Sequence, residues 1–368
     1  MSWLLDLQDI DNIALGAGIL GTGGGGSTHL TRLRAQTLLK SGYQIEIISP
    51  DAVKDDDLVI AVGGIGAPTI AIEKIAEGGE CLRAVRAVEA AAGIKASALI
   101  TDEIGGGNSI EPMIAAALAG LPVVDVDGMG RAFPELQMST FFVYGLDPSG
   151  GALADEKGNS VVLTNMISPH WLERVARSIT VSMGCSAAFA LPPMRGDFLK
   201  QAGIRHTISQ AWRLGEAVHA ARLAKRDPIE AIVSKENGTL LFRGKVVDAK
   251  RWTTGGFARG ELSIDGFREF AGSQLNIDFQ NENLIARVDG EVVAIVPDLI
   301  CIVDAETGRA ISTEDMRYGL RVAVIAIPCS PLLRTQKALT VMGPKAFGYE
   351  YNYTPIGAYV EPKAVYQT

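Results

Sequence analysis

The chain has 368 residues and 34 Lys and Arg against 42 Asp and Glu, a net charge of −8 at pH 7, with 47% apolar and 21% charged residues. It is long enough for two domains and a sizeable core, and without a basic block it is a poor match for nucleic acid or an anionic membrane. No apolar run reaches the roughly 18 residues of a membrane span, and Met1 to Asp6 lack a basic signal-peptide region, so a cytoplasmic protein is expected.

Asp9 to Leu20 places Ile10, Ile13, Ala14, Ala17 and Leu20 on one side at helical spacing, with Asp9 or Asp11 as a cap. Seven glycines in the eleven residues Gly16 to Gly26 overlap its end, closed by Ser27-Thr28-His29. Gly16, Gly18 and Gly21 fit the dinucleotide fingerprint, but that fingerprint needs a strand before its first glycine. The lead-in predicts instead a helix, a glycine loop from Gly21 to Gly26, and a second helix from Thr28 to about Leu39, capped by Ser27 or Thr28.

Strands are then expected at Tyr43–Ser49, Leu58–Val62, Ala98–Thr101 and Pro122–Val126, with helices at Glu80–Ala92 and Ser109–Ala119. This alternation predicts a three-layer α/β/α domain with a largely parallel sheet. Three strand ends run into polar or glycine-rich loops: Gly63–Gly66, Asp102–Asn108 and Asp125–Arg131. Ligands of open α/β sheets bind outside such carboxyl ends.

After Arg131, Met138–Gly145 and Ser160–Thr164 read as strands, Pro169–Ser178 as a helix and Thr180–Leu191 as a strand. Gly196–Arg226 is the longest helical pattern, and seven strands are expected between Thr239 and Ile327, the pattern of an antiparallel barrel or sandwich. The expected division is an α/β domain over 1–168 and a β-rich domain with one long helix over 169–368.

Asp102, Glu103 and Asp127 are candidate general bases and acids, and with His29 they could hold a divalent metal of undetermined identity. Alternatively, Asp102 and Asp125 cap helices or close Asx turns. The amides of Gly23, Gly24, Gly25 and Gly26 could hold an anionic or carbonyl ligand at a helix start, although the lysine of a phosphate-binding loop is missing. Asn108 follows a triple glycine and is a further candidate for substrate contact. Arg131 suits a planar carboxylate or imide, or an ion pair with Glu135. His29 is the best placed of the four histidines. Cys185 is either a nucleophile or a small buried hydrophobe. Cys81, Cys301 and Cys329 read as core or segment-end residues, and the four cysteines have neither zinc nor disulfide spacing.

Three loops together resemble the S-methyl thiohydantoin desulfurase family, which is associated with hydantoinases and oxoprolinases. They are Leu20 to Gly26, Asp102 to Ser109 and Asp125 to Glu135, the last carrying Asp-Gly-Met-Gly-Arg-Ala-Phe-Pro-Glu. The stretch Val296–Ile300 through Thr307-Gly308 to Tyr318–Val322 is similar too. The resemblance implies an α/β layer plus a β-rich domain. It also implies hydrolysis at C2 of an S-methylated thiohydantoin, releasing methanethiol.

For that chemistry Asp102, Glu103 or Asp127 would orient the water. Gly23 to Gly26 and Arg131 would hold the ring oxygen, and Cys185 would serve in a covalent variant. Two other functions compete: a non-catalytic companion of a hydantoinase or oxoprolinase system, and a dinucleotide-dependent oxidoreductase. The expected partner is a small molecule; a homo-oligomer or a hydantoinase-type partner stays open.

Overall fold

The computed structural model describes residues 2–67, 70, 73–254 and 257–366. Its first helix, α1 (Leu7–Leu20), begins ahead of the expected Asp9 because Asp6 caps it. The Asp6 carboxylate accepts the Asp9 N–H while the Asp9 carboxylate accepts that of Asp6, a reciprocal capping box. A helix here removes the strand that a dinucleotide fingerprint requires, and with it the oxidoreductase reading of Gly16, Gly18 and Gly21. Gly16 serves packing: a Cβ there would stand 1.8 Å from the carbonyl oxygen of Ala211, on a neighbouring helix.

In chain order the strands of this first part are β1 (Ser2–Leu4), ahead of α1, then β2 (Glu46–Ile48), β3 (Leu58–Gly66), β4 (Ala98–Thr101), β5 (Val123–Val124), β6 (Val126–Asp127), β7 (Gly151–Ala154), β8 (Ser160–Leu163), β9 (Ser186–Ala190), β10 (Met194–Arg195) and β11 (Ile204–Arg205). The main sheet runs β1-β2-β5-β4-β3-β9-β7-β8, with β10 also on β3. Strands β2, β5, β4 and β3 are parallel; β1 on one flank and β9, β7 and β8 on the other are antiparallel. Strands β9 and β10 join this first sheet although they lie beyond residue 168.

Both faces of the sheet are covered. Ile60, Val62 and Leu99 pack with Ile10, Ile13 and Val85 on one side. Val59, Ala61 and Ile100 pack with Phe141, Leu172 and Leu199 on the other. Burial on both faces is why the central strands read as continuous apolar runs rather than alternating ones.

Three expected elements differ. Met138–Gly145 is a 3-10 turn followed by a short helix, Thr140–Tyr144, because a brief apolar run has no periodicity to separate helix from strand. Thr180–Leu191 is shared between the end of the helix Pro169–Ser182 and β9. The single long helix over 196–226 is two, Gly196–Ala202 and Thr207–Leu223, with β11 between them. Here β11 pairs with β6, His206 turns through φ 62°, and Asp125 accepts the N–H groups of Ile208 (2.8 Å) and Ser209 (3.1 Å). A distant aspartate thus starts a fresh helix in the middle of a helical pattern.

The second sheet is antiparallel. Its strands are β12 (Thr239–Thr254), β13 (Phe257–Gly266), β14 (Gln274–Gln280), β15 (Glu282–Val288), β16 (Glu291–Ile295), β17 (Leu299–Asp304) and β18 (Arg321–Ile327), in the order β16-β15-β14-β13-β12-β18-β17. It curls around Phe242, Leu262, Ile277 and Val324 into a half-barrel. The Asn283 amide, at the start of β15, reaches the Ile300 carbonyl on β17 at 2.9 Å and ties the curl across.

Candidate active site

A cavity of about 740 Å³ opens at the carboxyl ends of β3 and β4. Asp102, Glu103 and Asn108 line it together with Gly25 and Gly26 of the glycine loop, Ser186 to Phe189 of β9, and Asn281 and Glu282 of the second sheet. Its volume is that of a small-molecule site.

Close packing of two glycine runs builds one wall. A Cβ on Gly25 would stand 2.2 Å from the Gly105 oxygen, and one on Gly106 2.4 Å from the Gly25 carbonyl carbon. The N–H groups of Gly107 and Asn108 donate to the carbonyls of Gly26 (3.0 Å) and Gly25 (3.1 Å). Most of these glycines let backbone meet backbone rather than backbone meet ligand. Gly23 and Gly24 are outside the cavity wall, Gly23 against Thr313 and Asn283 and Gly24 behind the Glu282 side chain. Only Gly25 and Gly26 of the four predicted glycines are in the wall, and among the described residues their N–H groups have no protein acceptor.

Asn108 is fixed to the end of β3: its Oδ1 accepts the Gly64 N–H at 2.8 Å and its Nδ2 donates to the Gly64 carbonyl at 3.2 Å. The same Nδ2 donates to Glu103 Oε1, while Glu103 Oε2 accepts the Phe133 N–H at 3.1 Å. Glu103 is therefore held at both oxygens. Asp102 is held at one: Oδ1 accepts from Ser139 Oγ at 2.7 Å, and Oδ2 is buried without a partner among the described residues. Burial raises the Asp102 carboxyl to about 7, opposed by the Ser139 hydrogen bond. It raises Glu103 to about 8, with Asp102 and Asp127 adding repulsion against the donors from Asn108 and Phe133.

Asp127 lies below the cavity wall. Its Oδ2 accepts the N–H groups of Ile104 (2.8 Å), Met129 (3.2 Å) and Gly130 (2.7 Å), so it shapes the loops that carry Glu103 and Arg131. Burial brings its carboxyl to about 7 despite those amides. Arg131 is fully buried and faces protein on every side. It donates to Thr22 Oγ1 (2.9 Å) and to the carbonyls of Ala132 (3.0 Å), Pro297 (3.3 Å), Asp298 (2.8 Å) and Asn283 (3.1 Å). Its guanidinium binds the second sheet to the first, with no donor left for a substrate carboxylate and no pairing to Glu135.

His29 is exposed on α2 (Thr28–Lys40), beside Arg32 and outside the cavity wall. Cys185 takes a left-handed turn, φ 64°, ahead of β9; its neighbour Ser186, not Cys185, is in the wall. Among the described residues no group of three or more His, Cys, Asp and Glu is placed to hold a metal ion.

Two features of the wall were not expected from the sequence. Cys81 lines the cavity with Glu111, which pairs with Arg34. Glu282 enters from the second sheet, 2% exposed. Its signal is faint: Gln280-Asn281-Glu282-Asn283 is a polar run between apolar strands and reads as a turn, yet all four side chains are buried. The three cations of the wall are each paired: Lys74 with Glu156 at 2.7 Å, Arg177 with Glu173 at 2.6 Å, and Arg34 with Glu111.

Fold and site together define a two-domain protein with an acid-lined cavity between an α/β sheet and a half-barrel. The chain belongs to the S-Me-THD-like family: its N-terminal domain model matches residues 8–165 and its C-terminal domain model residues 167–356. A crystal structure of a protein from Chromobacterium violaceum is similar in fold, with a TM-score of 0.81, 24% identity, and coverage of 96% of this chain and 100% of that one. No curated protein matches the chain.

Proposed function

We propose that this protein hydrolyses an S-alkylated thiohydantoin ring at C2, releasing a thiol and leaving a hydantoin. The observation that carries the reading is Asp102 Oδ2, a buried carboxyl oxygen without a partner among the described residues, in the wall of a cavity of small-molecule size. A carboxyl raised to about 7 is half ionised at neutral pH, the condition in which a general base both exists and takes a proton well. Asp102 Oδ2 orients the attacking water. The Gly25 and Gly26 N–H groups receive the ring oxygen, and Glu103, fixed by Asn108 and Phe133, holds the adjoining ring edge. Family membership supports the substrate class.

The test is thiol release from S-methyl thiohydantoins by the wild-type protein and by Asp102→Asn. Release by wild type and a fall of about 10²–10⁴-fold in the variant are expected. An Asp102→Asn protein with full activity would remove the base assignment, and a wild type inert towards every S-alkyl ring would remove the hydrolase.

A further inference from the structure

Resting on the reaction above, we infer that Glu282 is the acid that protonates the departing sulfur. Glu282 opens β15 and is the carboxyl that the second sheet contributes to the cavity wall alongside Asp102 and Glu103. Its position is fixed from both sides. The preceding Asn281 turns through φ 57° and locks onto Ala258, donating its N–H to that carbonyl at 2.7 Å and accepting the Ala258 N–H at 2.9 Å. The following Asn283 donates its N–H to the Thr22 carbonyl at 2.8 Å.

Between these anchors the carboxyl lies over the glycine loop. A Cβ on Gly24 would be 2.0 Å from Glu282 Oε1, so a side chain there would displace the carboxyl from this position. The other oxygen, Oε2, is buried without a partner among the described residues. The charges that face it are Glu103, Arg131 and Glu314. Burial and the nearby Glu103 favour the protonated acid, and Arg131, already committed to carbonyls, opposes them. A carboxyl kept protonated in the same cavity wall as Asp102, which ionises near neutral pH, is the pairing that acid and base steps in one site require.

The step balances without a co-reactant other than water. Water adds to C2 as one of its protons passes to Asp102 Oδ2. The C=N pair moves to the ring nitrogen, which takes that proton from Asp102. The C2–S bond then breaks as C2=O forms, and the sulfur leaves with the Glu282 proton. The hydroxyl proton of the intermediate passes to the Glu282 carboxylate and restores the acid, so the net change is one proton gained on nitrogen and one on sulfur.

An acid is needed only when the leaving group is basic. The experiment compares wild type with Glu282→Gln, as full-length protein, on a matched pair of rings carrying S-methyl and S-(4-nitrophenyl) groups. The S-methyl substrate should lose about 10²–10⁴-fold in kcat, and the nitrophenyl substrate less than about tenfold, because its thiolate leaves unprotonated. Turnover of the nitrophenyl ring doubles as the control for folding. Should Glu282→Gln not fold, Glu282→Asp, which keeps a proton donor one methylene further back, should slow the S-methyl ring selectively. Equal losses on both rings in a folded variant, or no loss on either, would overturn the assignment. Absence of thiol release by wild type from both rings would remove the hydrolase reading itself, and this inference with it.

Discussion

At the scale of single residues, Asp102 is a group whose folded environment works against its charge. Its carboxyl moves from an ordinary 3.8 to about 7 by burial. A base must be ionised to act, so kcat/KM is expected to climb as pH rises through about 7 and to level off above it, measurable in a pH–rate profile. Stability runs the other way. The folded protein holds the proton more tightly than the unfolded chain, so this contribution is complete below about pH 4 and is lost as pH rises through about 7. Asp102→Asn keeps an acceptor for Ser139 and never has to ionise. It is expected to melt higher than wild type at pH 8 while losing turnover, a gain and a loss that one thermal scan and one assay separate.

Among the elements, the paired glycine runs are the most exacting. Gly25→Ala would drive a methyl into the Gly105 carbonyl, a contact between two backbones that cannot turn aside. Gly26 also has positive φ, 82°, but open space where its Cβ would go. Urea unfolding should therefore show a loss of about 1–2 kcal/mol for Gly26→Ala, the strain of φ alone, and a clearly larger one for Gly25→Ala. The same elements show what could be read in advance. The helix Glu80–Ala92 was legible to the residue because its periodicity decides it, and the strand Ala98–Thr101 because a short β-rich apolar run lies between polar turn residues. The split at residues 203–206 was not, because Asp125, some eighty positions earlier, supplies the new helix start. Asp102 and Glu103 could be found as acids at a strand end that opens into glycine. Glu282 could not be tied to them, because only the curl of the second sheet brings it over the glycine loop.

For the whole molecule, Arg131 is the clearest tie between the layers. The sequence suggested that Arg131 would hold the ring oxygen of a substrate. Its bonds to Thr22, Asn283, Pro297 and Asp298 now predict a fold destabilised by about 3–5 kcal/mol, since a buried charge site and several carbonyls lose their partner together. Calorimetry of the variant measures this directly, as a lowered or divided transition. Charge acts at the same scale. The cavity wall holds acids in excess, its cations are already paired, and the chain carries a net −8. Thiohydantoins with a carboxylate on the C5 substituent are accordingly expected to show a higher KM than neutral ones of equal size, and added salt should narrow the gap.

Strand β9 carries one more consequence. It sits between β3 and β7, yet it belongs to the C-terminal of the two matched segments, which meet at residues 165 and 167. The first segment alone would present two unpaired, apolar strand edges, the kind of surface on which chains aggregate. The halves recognisable as separate stretches of sequence are thus a single heritable unit: recombination between relatives at that junction would have to preserve the fit of β9 into another protein's sheet.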